Sequence, residues 1–121
     1  MLDSGMHEGM EIQEFDERDA IEVIDGVYLQ QMAVGERMSL NHFQIDVGAE
    51  TPMHRHEHEQ FGYIYQGEVT FTVDGEELVV SAGTSYLIPS DEPHAGVNRG
   101  SVPVRGIDIF SPPRRDPDWK D

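Results

Sequence analysis

Residues 61–80 read FGYIYQGEVTFTVDGEELVV, and this stretch decides the fold class. Val69, Phe71 and Val73 alternate with Thr70 and Thr72, the period-two signature of a strand with one buried face. Asp74-Gly75 follows, a pair suited to the positive φ angles of a two-residue hairpin turn. Leu78-Val79-Val80 then returns on the far side of that turn. Upstream, Phe61 to Tyr65 is rich in aromatic and β-branched residues and ends at Gln66-Gly67.

Strand signals continue in both directions. Val23 and Ile24 end at Asp25-Gly26, Val27 to Val34 is broken by Gly35-Glu36, and Met38 to Val47 is closed by Gly48. Downstream, Ser81 to Gly83 turns into Tyr86-Leu87-Ile88, which Pro89 stops. Val102 to Phe110 forms the last strand candidate, ended by Ser111-Pro112-Pro113 because proline donates no ladder hydrogen bond. Asp16 to Asp19 has room for one helical turn. Many short strands punctuated by Gly and Pro predict an all-β sandwich or barrel. The 121 residues suffice for a single domain. We expect a flexible acidic segment over 1–20, the β-barrel over 21–115 and a tail over 116–121.

Composition narrows the function classes. The chain has no cysteine, so disulfide and thiolate chemistry are excluded. It carries 24 acids against 8 Lys and Arg, a formal charge of −16. Nucleic acid is not an expected partner, since its binding is driven by cationic contacts to phosphate. No apolar run approaches the ~20 residues of a membrane span. The N-terminus lacks the cationic start and apolar stretch of a secretory signal, so a cytoplasmic location is expected. Lys120 is the single lysine. This acid excess resembles that of proteins from salt-adapted microbes, in whose cytosol screening shrinks self-repulsion.

The densest chemical signal is Met53-His54-Arg55-His56-Glu57-His58-Glu59-Gln60. On a strand, residues two apart share a face, so His54 and His56 offer two imidazoles to one cation. Gln60 shares that parity and adds an amide oxygen, and His58 shares it too. Taken alone, the pattern also fits a surface histidine cluster. A wider frame surrounds it. Residues 48–67 fit G-x5-H-x-H-x3-Q-x6-G, and residues 83–98 fit G-x5-P-x-D-x2-H-x3-N.

These two segments resemble, in order and spacing, the paired motifs of the cupin superfamily. The resemblance implies a jelly-roll barrel with a metal inside its mouth, the second motif bringing His94 back to the first pair. Two departures stand out: Gln60 where most cupins have Glu, and Asp91 where they have Gly. With Gln60 all ligands are neutral, so a bound divalent ion would keep its full charge. The usual two-His-one-carboxylate iron set is absent, which favours non-redox chemistry. The ligand types suit Zn, Ni, Fe, Mn, Co or Cu.

On the last strand, Gly106, Asp108 and Phe110 share one face, while Ile107 and Ile109 share an apolar face expected to pack. Asp108 is a candidate general acid/base if its face lines the barrel, and otherwise a solvent-facing carboxylate. Arg114-Arg115 is conspicuous in so acidic a chain, and arginine grips carboxylates through a bidentate fork. His42 reads as a packed or surface histidine.

The run His-x-His-x-His-Glu-Gln-x-Gly-Tyr and the closing Asp-Ile-Phe-Ser-Pro-Pro-Arg together resemble the pectin-degradation cupins of the KdgF type. Those enzymes open and ketonise unsaturated uronate monomers from pectin and alginate. The resemblance implies metal ligands at His54, His56, Gln60 and His94 and functional residues at Asp108, Phe110 and Arg114. It implies a small anionic sugar acid as substrate and, as in other small cupins, a homodimer. Arg55 and Glu57 stand where Ser and Pro are usual. Two other functions remain open: a metal-dependent cupin of another reaction, such as a dioxygenase or different sugar isomerase, and a non-enzymatic sugar-acid-binding module.

Overall fold

A computed structural model describes residues 5–7 and 9–114. Arg115 and the tail expected over 116–121 lie outside the described residues. The strands are β1 (Gly5–His7), β2 (Met10–Ile12), β3 (Ile21–Ile24), β4 (Val27–Val34), β5 (Ser39–Ile45), β6 (Glu50–His54), β7 (Glu59–Gln66), β8 (Glu68–Val73), β9 (Glu76–Ser81), β10 (Thr84–Ile88), β11 (His94–Val97) and β12 (Val104–Ser111). A single 3-10 turn spans Glu17–Asp19, capped by the Asp16 carboxylate on the Arg18 amide. No described helix is long and apolar enough to cross a membrane.

The main strands form two antiparallel sheets, ordered β10-β7-β12-β5-β4-β3 and β6-β11-β8-β9, with β1 and β2 paired separately. This is an all-β barrel, as the strand pattern predicts, and a jelly roll, as the cupin resemblance implies. The β8–β9 hairpin turns on Asp74 (φ 51°) and Gly75 (φ 77°), the left-handed pair a two-residue turn needs. Asp91 also takes positive φ, 63°. Aspartate is among the few non-glycine residues that tolerate this region, so the turn survives the missing glycine. The Asp91 amide there donates to the His56 carbonyl at 2.7 Å.

Strand alternation fills the barrel in layers. On β5, β7 and β12 the inward positions become apolar towards one end. There Val27, Phe43, Ile45, Ile64, Val69 and Val104 form a buried cluster, the floor of the barrel. Each such side chain contributes about 1.5–3 kcal/mol by leaving water. The register then stacks Phe43, Gly106 and Ile64 in one row, and Asn41, Asp108 and Gly62 in the next. The last row, Ser39, Phe110 and Gln60, is the mouth. Asn98, wholly buried, donates to the Ile45 and Val102 carbonyls at 2.9 Å and accepts from Gly100. It thereby fastens the β11–β12 link to β5.

Two expectations change. β6 ends at His54 and β7 starts at Glu59, so residues 55–58 are a link rather than a strand. Alternation therefore does not bring His54 and His56 together. On β12 the apolar pair faces outward: Ile107 and Ile109 stay partly exposed, beside exposed Phe61, Tyr63 and Leu87. The Asp108 and Phe110 face is the one that lines the interior.

Candidate metal centre and active site

Three histidines meet at the mouth. His54 closes β6, His94 opens β11 directly opposite it in register, and His56 sits in the link. Their ligand nitrogens lie within 4.8 Å of one another. Backbone carbonyls aim all three rings. The Nδ1 of His54 bonds the Pro52 oxygen at 2.8 Å, that of His56 the His58 oxygen at 2.9 Å, and that of His94 the Glu92 oxygen at 2.8 Å. A carbonyl only accepts, so each Nδ1 must carry the proton, leaving Nε2 with its lone pair. Burial lowers the pKa of all three rings, that of His54 to about 4, and so keeps them neutral.

Gln60, buried on β7, brings its Oε1 to 3.1 Å from the His56 Nε2. Both atoms are acceptors when the ring is protonated on Nδ1. Two acceptors facing each other are the arrangement that two ligands of one cation adopt. Two ligands of one metal ion, each bound at about 2.0–2.2 Å, stand at comparable separation. The donor set therefore fits a divalent metal. His58 does not join it. Its carbonyl orients His56 while its ring lies edge-on to Phe110, centroids 6.2 Å apart.

Beside this set lies a cavity that opens to solvent, lined by His54, Gln60, Tyr86, His94, Asp108, Phe110 and Arg114 among others. Burial pushes the Asp108 carboxyl up to about 6, against the downward pull of hydrogen bonds from Tyr86 and Gln60 and of the Arg114 charge. The Tyr86 hydroxyl donates to the Asp108 Oδ1 at 2.6 Å. Arg114 is only 5% exposed, and its guanidinium stands 5.2 Å from the Phe110 ring centroid. Its backbone is pinned where its amide donates to the Ser39 Oγ at 2.9 Å.

His54, Gln60, His94, Asp108, Phe110 and Arg114 thus line one cavity, and His56 stands behind it against His54, His94 and Gln60. Arg55 and Glu57 are exposed in the link between β6 and β7. His42 lies outside the cavity, on the outer sheet face, stacked on Phe15 and bonded to the Tyr65 hydroxyl at 2.6 Å. Sequence reasoning missed Tyr86, which it placed on a strand without a role. The available signal was Gly62, the small residue inside the Gln-x-Gly-Tyr run.

A family model described as cupin domain matches residues 41–110. The chain belongs to the cupin superfamily. The solved structure of KdgF from Halomonas sp. is 30% identical, superposes with a TM-score of 0.79, and is matched over 88% of this chain and 96% of that one. An RmlC-like cupin from Shewanella frigidimarina is also 30% identical, with a TM-score of 0.76 over the same shares. A protein named H2HPP isomerase from Bacillus subtilis is 34% identical over 67 residues, 55% of this chain. This cupin matches just 28% of that protein's length.

Proposed function

We propose that this cupin opens and ketonises 4,5-unsaturated uronate monosaccharides. The observation that carries the reading is the cavity wall itself. It sets a neutral metal-ligand set, a carboxyl group and a buried guanidinium around one space. The 30% identity to KdgF over nearly the whole barrel supports the same reading.

The substrate of such a reaction is a cyclic hemiacetal with a C4–C5 double bond. Opening frees an aldehyde at C1 and leaves an enol at C5, which takes a proton at C4 to become a ketone. Overall a proton moves from the anomeric hydroxyl to C4, with no oxidant or reductant. A divalent ion held by His54, His56, Gln60 and His94 would supply Lewis acidity to the substrate oxygens. Asp108 takes the hydroxyl proton and delivers one at C4, a role its raised pKa suits near neutrality. Arg114 holds the substrate carboxylate. Phe110 walls the site and keeps the guanidinium in place.

Gln60 has a second reason to be an amide. Its side chain approaches both Asp108 and Tyr86 and favours their ionised forms, and only an amide can do so while its oxygen faces the histidines. A glutamate would set two carboxylates against each other.

The test is loss of the conjugated double-bond absorbance of an unsaturated monouronate. Acceleration by metal-loaded protein, abolished by chelator, is expected. Asp108→Asn should cut turnover about 100- to 10,000-fold with metal content unchanged. No acceleration would move the reading to another proton shift, as the isomerase-named relative suggests, or to sugar-acid binding.

The homodimer expectation gains support from the outer sheet face. In a chain of charge −16, Phe61, Tyr63, Leu87, Ile107 and Ile109 make an acid-free surface. Glu59 and Arg105 flank it at opposite ends of β7 and β12. A two-fold axis across the strands places Glu59 of one copy against the other's arginine. Light scattering at the monomer mass would refute this pairing.

A further inference from the structure

Tyr86 and Asp108 do not sit on neighbouring strands. β7 lies between β10 and β12, and Gly62 of β7 is the register partner of both residues. Adjacent strands are about 4.8 Å apart, so the two backbones stand nearly 10 Å apart with one position between them. The Tyr86 ring crosses that gap. A Cβ added at Gly62 would collide with the Tyr86 Cζ, Oη and Cε1 atoms. No side chain other than hydrogen can stand at 62 while the Tyr86 hydroxyl reaches the Asp108 Oδ1 at 2.6 Å.

The Gln60 side chain, one inward position along β7, approaches the same hydroxyl and the same carboxyl group. Asp108 is thus held by the phenol through one oxygen, from β10, while Asp108 itself lies mid-strand on β12. Phe71 closes over the phenol ring from the opposite sheet, centroids 4.9 Å apart.

We propose that Gly62 and Tyr86 form a positioning device that holds the Asp108 carboxyl in one orientation, with one oxygen bonded to the phenol and the other presented to the substrate. The proposal rests on the proton-transfer reading of Asp108. Tyr86 acts through Asp108 and does not itself exchange protons with the substrate. Its removal therefore alters turnover and not substrate affinity.

Tyr86→Phe keeps the ring over Gly62 and deletes only the hydroxyl. Polar groups that orient a metal site or its neighbours typically count for about 10–100-fold in activity. Tyr86→Phe should lower kcat by such a factor, with KM and metal content within about twofold of wild type. In an Asp108→Asn background the same change should cost nothing further, because two residues acting as one unit are not additive. Gly62→Ala, which displaces the ring, should reproduce the loss in Tyr86→Phe if the variant folds. Undiminished turnover in Tyr86→Phe overturns the proposal, as does an equal loss on top of Asp108→Asn.

An inactive wild type would instead sink the ketonisation reading, and the bond itself has its own readout. A slowly exchanging hydroxyl proton, detected by NMR in wild type and missing from Tyr86→Phe, supports it. A rapidly exchanging Tyr86 hydroxyl overturns it whatever the substrate.

Discussion

The two ends of the barrel are built from the same strands at the same inward parity, yet their chemistry is opposite. At the floor, Ile45, Ile64 and Val104 are buried in an apolar cluster. At the mouth, Ser39, Gln60 and Phe110 occupy the equivalent positions further along β5, β7 and β12. Alternation alone decides which side chains point inward. Identity along the strand decides whether that interior is a core or a site. Stability and function are therefore separable here by strand position, and each end can be damaged without the other.

The largest expected effect lies at the mouth. His94→Ala removes one of three converging imidazoles, and metal analysis should find the bound ion gone while circular dichroism retains the strand signal. Unfolding of this variant would break the separation. The converse change is Ile64→Ala at the floor, where the side chain is fully buried. Denaturant unfolding should show a loss of about 2–5 kcal/mol, with metal stoichiometry intact below the transition.

A subtler test uses Asp108, between the two ends. Its folded pKa of about 6 lies above its ordinary value of 3.8. The folded state then holds the proton more tightly, so its stabilising effect is full below pH 4 and is lost as pH rises through 6. In metal-free protein, wild type should lose about 1–3 kcal/mol relative to Asp108→Asn across that window. The histidines titrate with the opposite sign but alike in both proteins, so they cancel in the difference. A flat difference would mean that Asp108 is not desolvated. Smallest per group is the effect of salt on the outer surface. Arg18 pairs with Asp16 and Arg99 with Glu77 at the surface. With 24 acids against 8 Lys and Arg, the acids repel one another, and the melting temperature should climb from low to molar salt with metal content unchanged. A melting temperature independent of salt would show that the acids carry no such adaptation.

How much of this was legible in the sequence follows from how far each interaction reaches. Val69 to Val80 announced its hairpin because alternation and turn chemistry are local. The histidine spacing was legible, but for another reason than the one it suggested, since a link and not a strand carries His56 inward. β6 and β11 went unmarked because Glu50–His54 and His94–Val97 are short and lack a clean apolar alternation. β1 and β2 escaped for the same reason, as Gly5–His7 and Met10–Ile12 are only three residues each. The Tyr86 contact left only one trace in the sequence, the glycine at position 62. It spans three strands and depends on a register that no local pattern specifies.

The three histidines owe their aim to carbonyl oxygens of Pro52, His58 and Glu92, each two residues away. Those oxygens belong to the main chain, which no codon change can remove. The metal socket is consequently encoded almost entirely by its ligands and by the path of the backbone. Inheritance can then redraft Asp108, Phe110, Arg114 and their neighbours without rewriting the socket, and one scaffold can change trades while keeping its tool holder.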